Sequence, residues 1–169
     1  MFRTTWMGAA ALSAAMALSA PALAAQIVLS GSAVIGSTPS FPGPYEATSI
    51  FDQQTGTIAG ETFNNGDYWL NPNNGPAGAY ITIDLGAAYN LTAFELFNTS
   101  NGHLGDRGTG AFSIVASNAI IADGANGFTL DGPTATLLSG VLVAQAPSVA
   151  RVMQSFGASH AGDFRYIQF

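Results

Sequence analysis

The chain has no cysteine and no lysine, and charged residues make up only 8% of its 169 positions. Without cysteine there is no disulfide framework, no thiolate-held zinc or iron–sulfur cluster, and no thiol nucleophile. Stability must come from packing, with a bound ion as the one available supplement. The cations are Arg3, Arg107, Arg151 and Arg165, against ten carboxylates and a formal net charge of −6. Nucleic acids and anionic membranes attract basic patches, so this balance speaks against both as partners. No H-E-x-x-H, P-loop or dinucleotide fingerprint occurs. After the first two dozen residues no apolar run is long enough to cross a bilayer as a helix.

What is present begins with a leader. Arg3 gives a positive start, Trp6 to Leu18 is apolar and alanine-rich, and Ser19 to Ala24 supplies small residues. That order reads as a secretory signal peptide over residues 1–24, cleaved after Ala24. The expected product, residues 25–169, is secreted or held in the cell envelope, with no membrane span after signal removal. It is long enough for one domain with a sizeable core. Plentiful aromatic and β-branched residues exclude disorder.

Period-two alternation dominates the rest. Tyr80 to Leu85 places Ile81, Ile83 and Leu85 on one face. Leu91 to Asn98 pairs Phe94 with Leu96, and Ala111 to Ser117 aligns Phe112, Ile114 and Ala116. Such runs between Gly, Asn and Pro clusters predict half-buried strands of an antiparallel sheet. Gly86 is expected to end the first of them. Further strands are expected at Gln26 to Ile35, Thr134 to Ala144, Ser148 to Phe156 and Phe164 to Phe169. Pro39, Pro42 and Pro44 make Ser37 to Tyr45 a loop, and Ala47 to Asp52 a short helical turn or extended piece. Gln53 to Pro76 reads as a long surface loop. Asp123-Gly124, Asn126-Gly127 and Asp131-Gly132 mark turns between Ala119 and Gly132. No stretch predicts a helix of three turns.

The ordered blocks I-T-I-D-L-G-A-A-Y-N-L, F-E-L-F-N-T, D-R-G-T and F-S-I-V-A-S, with the later F-R-Y-I-Q-F, resemble the discoidin (coagulation-factor type C) domain of the galactose-binding-like superfamily. The likeness is to exported bacterial members of the PEP-CTERM type, here without the sorting tail. It implies an all-β fold, an antiparallel β-sandwich of jelly-roll form. The family continues past its R-Y strand into a further strand, whereas this sequence stops at Phe169, so the sandwich is expected to lack its last strand.

The resemblance also implies where a ligand would sit. Sugar-binding members use loops at one end of the sandwich, combining amides, acids and a cation with an aromatic platform. Here the segment Asn98 to Thr109 offers Asn98, His103 and Arg107, and Tyr68 or Trp69 offers the platform. The ordinary readings are equally concrete. Asn98 caps a strand end, Arg107 braces its loop, His103 is a plain loop histidine, and Trp69 belongs to the core. Related modules hold Ca2+ at an early Asp, which points to Asp52. Gln53 replaces the family's glycine, and the late Glu would lie beyond Phe169, so the ion site is incomplete as written and a turn-capping carboxylate is the preferred reading of Asp52.

The G-x-S-x sequence at Gly157 to His160 lacks the strand-to-helix context of a nucleophile elbow. The expected function is therefore non-catalytic binding of a glycan or extracellular polysaccharide. Two alternatives stand beside it: a structural or adhesive envelope protein able to self-associate, and a secreted hydrolase. An exposed aromatic beside Asn98, His103 and Arg107 would mark the binding module. A buried Trp69 with a self-complementary edge would mark the structural protein, and two carboxylates across a cleft the hydrolase.

Overall fold

A computed structural model describes residues 25–43, 45–51, 69–72, 78–98, 108–144 and 153–169. The alternating segments form nine strands: β1 (Val34–Ser37), β2 (Ile81–Asn90), β3 (Ala93–Phe97), β4 (Ala111–Ser117), β5 (Ala119–Ala122), β6 (Phe128–Asp131), β7 (Ala135–Val141), β8 (Met153–Gly157) and β9 (Asp163–Gln168). Among the described residues, helix is limited to three short 3-10 turns, Gly31–Ala33, Ala47–Phe51 and Gly124–Asn126. The fold is an all-β antiparallel sandwich. One sheet has the order β1-β2-β9-β4-β7, β3 pairs with β8, and β5 pairs with β6. Residues 1–24, where a leader is expected, lie outside the described residues.

The inner face of the five-stranded sheet holds the core. Ile81, Ile83 and Leu85 of β2, Ile114 and Ala116 of β4, Leu138 of β7 and Ile167 of β9 are all buried in one cluster. Register explains the agreement, because Ile83 stands opposite Ile167, Ile167 opposite Ala116, and Ile114 opposite Leu138. Phe94 and Leu96 of β3 and Phe156 of β8 pack against this cluster, making the second layer. Phe112 meets Phe156 edge-on at 5.3 Å and stacks on Phe169 at 5.2 Å. Gly140 lies opposite Phe112, and a Cβ there would come within 3.1 Å of that ring.

The outer face is covered differently. The β5–β6 hairpin lies across it and buries Thr82 completely. Gln168 donates from Nε2 to Thr82 Oγ1 at 3.2 Å and to Thr129 Oγ1 of β6 at 3.0 Å. The Tyr80 hydroxyl donates to the Asp123 carboxylate, and Asn126 Nδ2 donates to the same Asp123 oxygen at 3.1 Å. β1 and β6 touch where Gly36 bridges Gly127. A Cβ on Gly36 would lie 2.0 Å from the Phe128 carbonyl oxygen. Only a residue without a side chain fits that crossing.

Several expectations need correction. Residues 25–30 are not strand, and β1 begins only at Val34, after a 3-10 turn. Gly86 does not end β2. The strand runs on to Asn90, with pairing to β9 interrupted between Asp84 and Tyr89. Gly86 takes φ +81 within that interruption and donates its N–H to Asp84 Oδ1 at 2.8 Å, so a bulge replaces the turn. The turn-rich segment 119–132 is a hairpin whose strands flank a 3-10 turn. β9 is the middle strand of the main sheet, paired to β2 on one side and β4 on the other.

Candidate functional site

Strand direction brings the ends of four strands together at one end of the sandwich. β2 begins there with Ile81, β3 finishes there at Phe97, β4 starts there with Ala111, and β7 finishes there at Val141. Asn98 and Trp69 lie at this end. Tyr68, His103, Arg107 and Asp52 lie outside the described residues.

Asn98 is buried and commits its amide to main chain. Its Nδ2 donates to the Thr109 carbonyl at 2.9 Å and to the Val143 carbonyl at 3.1 Å, and its Oδ1 accepts from the Thr109 N–H at 2.8 Å. The side chain thus ties the end of β3 to the entry of β4 and the exit of β7. Gln154 repeats the device, accepting from the Val143 N–H at 2.8 Å and donating to its carbonyl at 3.2 Å.

Trp69 packs against the core cluster. Its indole N–H is buried and meets no acceptor. Buried polar groups are nearly always paired, so this donor is the exception among the described side chains. The main chain beside it is fastened to the 41–45 segment. The Phe41 N–H donates to the Leu70 carbonyl at 2.7 Å, and the Leu70 N–H donates to the Tyr45 carbonyl at 3.3 Å.

That fastened segment walls an open groove. Its floor is β1, with Ile35, Gly36 and Ser37. One side is Ser40, Phe41, Glu46 and Thr48, and the other is the hairpin tip from Ala125 to Gly127. Its volume is about 510 Å3, within the range of clefts that hold small molecules or a few sugar units. Ser37, Ser40, Thr48, Asn126 and Glu46 are among its lining residues, together with Phe41. Phe41 is held edge-on to Tyr45 at 5.8 Å. The Tyr80–Asp123–Asn126 contacts fix the hairpin wall. The Tyr80 phenol is pushed up to about 12, by burial first and by the neighbouring Asp123 carboxylate second. Asp123 is lowered, chiefly because it accepts from Tyr80 and then from Asn126.

A second, smaller depression of about 320 Å3 lies by Ser30, Ser32, Asp84 and Gly86. Its carboxylate is already engaged. Arg165 grips Asp84 through two hydrogen bonds, Nε to Oδ1 and Nη2 to Oδ2, both 2.9 Å. The Arg165 hydrogen bond holds the Asp84 carboxyl below its usual range. The arrangement pins β2 to β9 beside the bulge.

The groove was missed at the level of sequence for a definite reason. Ser37, Ser40 and Phe41 fall in a proline-marked loop, Glu46 just after it, and Asn126 in a turn dipeptide 80 residues beyond Glu46. Only the Gly36–Gly127 crossing brings them together, and the exposed sign of that crossing was two ordinary glycines. Among the described residues no three His, Asp or Glu side chains cluster as a metal site, and no helix is long and apolar enough to cross a membrane. No family model, curated protein or solved structure matches the chain.

Proposed function

We propose that this protein is an exported, non-catalytic module that binds a glycan or extracellular polysaccharide, on a jelly-roll sandwich of the galactose-binding-like type. The observation that carries the reading is the groove over β1. Hydroxyl, amide and carboxylate groups line it beside an aromatic ring, which is the mixture a saccharide requires. Sugar hydroxyls both donate and accept, and the C–H face of a pyranose packs on a ring. The groove stands on paired strands and a fastened hairpin, so little ordering is needed on binding. The secretory leader and the resemblance to discoidin domains point the same way.

The test is a glycan-array screen of the purified chain, with and without a Ca2+ chelator, alongside Phe41→Ala and Arg107→Ala. Saturable binding that Phe41→Ala abolishes while the circular dichroism spectrum is kept is the expected result. Loss in Arg107→Ala alone would move the site to the 98–109 loop, and loss on chelation would bring the Asp52 ion site back. No binding by a folded protein would end the glycan reading.

A second reading, a structural or adhesive envelope protein, is favoured by two specific observations. Trp69 is half-buried and packs against the core cluster. Val141, Val143 and Met153 are exposed apolar side chains near the same end, at 65%, 70% and 46% of their full surface. Sedimentation velocity would decide it. Concentration-dependent dimers lost in Val143→Asp support self-association, and a strict monomer at high concentration removes it.

A further inference from the structure

Resting on the glycan reading, we infer that the groove over β1 selects amine-bearing saccharides, with the sugar ammonium set against Glu46. The charge on its walls leads there. Asn126 spends one N–H on Asp123 and keeps a second N–H and its carbonyl oxygen, so it can both donate and accept. Glu46 adds an exposed carboxylate from the opposite wall. Ser37, Ser40 and Thr48 can donate or accept. No arginine or histidine is among the described residues that line the groove. The one arginine among the described residues, Arg165, is bound to Asp84, which borders the other depression.

A cleft with one negative charge and no described cation in its lining matches a ligand with positive charge. A hexosamine unit with a free amine carries that charge. An N-acetylated unit trades the ammonium for a neutral amide, and a uronate brings a carboxylate against Glu46. Like charges across a contact disfavour the complex, so selectivity comes as much from rejecting uronates as from attracting amines.

The experiment uses the full purified chain and three tetrasaccharides of equal length: β-1,4-linked glucosamine, its fully N-acetylated counterpart, and a galacturonate. Titration calorimetry is run at pH 5.5, in low salt and again in 0.3 M salt. The expected order is glucosamine, then the N-acetylated tetramer roughly two- to fivefold weaker, the range of a solvent-exposed ion pair, then galacturonate without measurable binding. Glu46→Gln should erase the preference. Glu95→Gln, which removes the same charge from the exposed face of β3, should keep it.

Equal affinity for the two hexosamine tetramers overturns the amine selectivity and leaves glycan binding standing. A preference that survives Glu46→Gln, or that Glu95→Gln weakens equally, overturns it as well, because a chain of net charge −6 attracts any cation. Stronger binding of galacturonate overturns it outright. Absence of binding to all three overturns this inference and, with an empty glycan array, the reading on which it rests.

Discussion

Thr82 and Ile83 are neighbours in one strand, and both are buried, yet different physics covers them. Ile83 faces a layer of hydrocarbon: Ile167 beside it, and Phe94, Leu96 and Phe156 of the second layer in the same cluster. Thr82 faces a hairpin held by Gln168, Thr129, Tyr80, Asp123 and Asn126. Burial of apolar area is non-directional, so the inner face fixes which residues are inside but tolerates adjustment. Hydrogen bonds need partners at set distances and angles, so the outer face fixes where the hairpin sits. The groove has the hairpin tip as one wall, and it therefore depends on the directional face. Function, on this reading, is attached to the less strongly bound side of the sheet.

The contrast can be broken from either side. Ile114 is 2% exposed, and Ile114→Ala should cost about 2–5 kcal/mol, as truncations in packed cores do. Urea denaturation would show it as a lower midpoint at unchanged slope. An effect under 1 kcal/mol would mean the inner face is looser than its burial implies. Gly36→Ala should come next, at about 1–3 kcal/mol, because its Cβ would strike the Phe128 carbonyl. Gly110→Ala, with open space around it, should be nearly neutral. Hydrogen exchange would place the Gly36→Ala damage in β5 and β6, and uniform loss of protection would refute a separable hairpin.

Tyr80→Phe should have a smaller effect still, freeing the hairpin tip while leaving the midpoint of global unfolding little changed. Faster exchange at residues 123–127 is its expected signature. The smallest effect is a pH dependence with two edges. Asp123 has a lowered folded pKa, so its contribution is present above the usual carboxylate range and is lost as pH falls through its folded value. Tyr80 is raised from 10.0 to about 12, so its contribution is complete below pH 10 and disappears as pH rises toward 12. Hairpin protection, corrected for the intrinsic pH dependence of amide exchange, should be greatest between those edges, and Tyr80→Phe should remove the alkaline one. Core amides with the same profile would show that the two faces are not independent.

How much of this was legible follows from what each feature depends on. Period-two alternation depends on one strand at a time, and Ile81, Ile83, Leu85, Ile114 and Ala116 were readable as inward-facing from spacing alone. The all-β architecture followed from the same pattern. Gly86 misled because a positive φ serves a bulge as well as a turn, and only the partner strand distinguishes them. The β5–β6 hairpin was hidden because its strands are four residues each, and Gly and Asn signals crowd between them. Asn98 was marked as polar and significant, yet sequence could not tell a ligand contact from a brace, since both uses want the same amide. The groove depends on pairing between residues 36 and 127, a long-range fact with no local trace.

The position of β9 governs when this molecule can fold. Asp84 and Arg165, joined across β2 and β9, are 81 residues apart in sequence. With residues 163–168 missing, β2 and β4 have no common partner, and the inner cluster loses Ile167 from its centre. Closing so long a loop is slow, and no shorter fragment contains a complete sheet. A chain so arranged stays unassembled until its residues 163–168 are available.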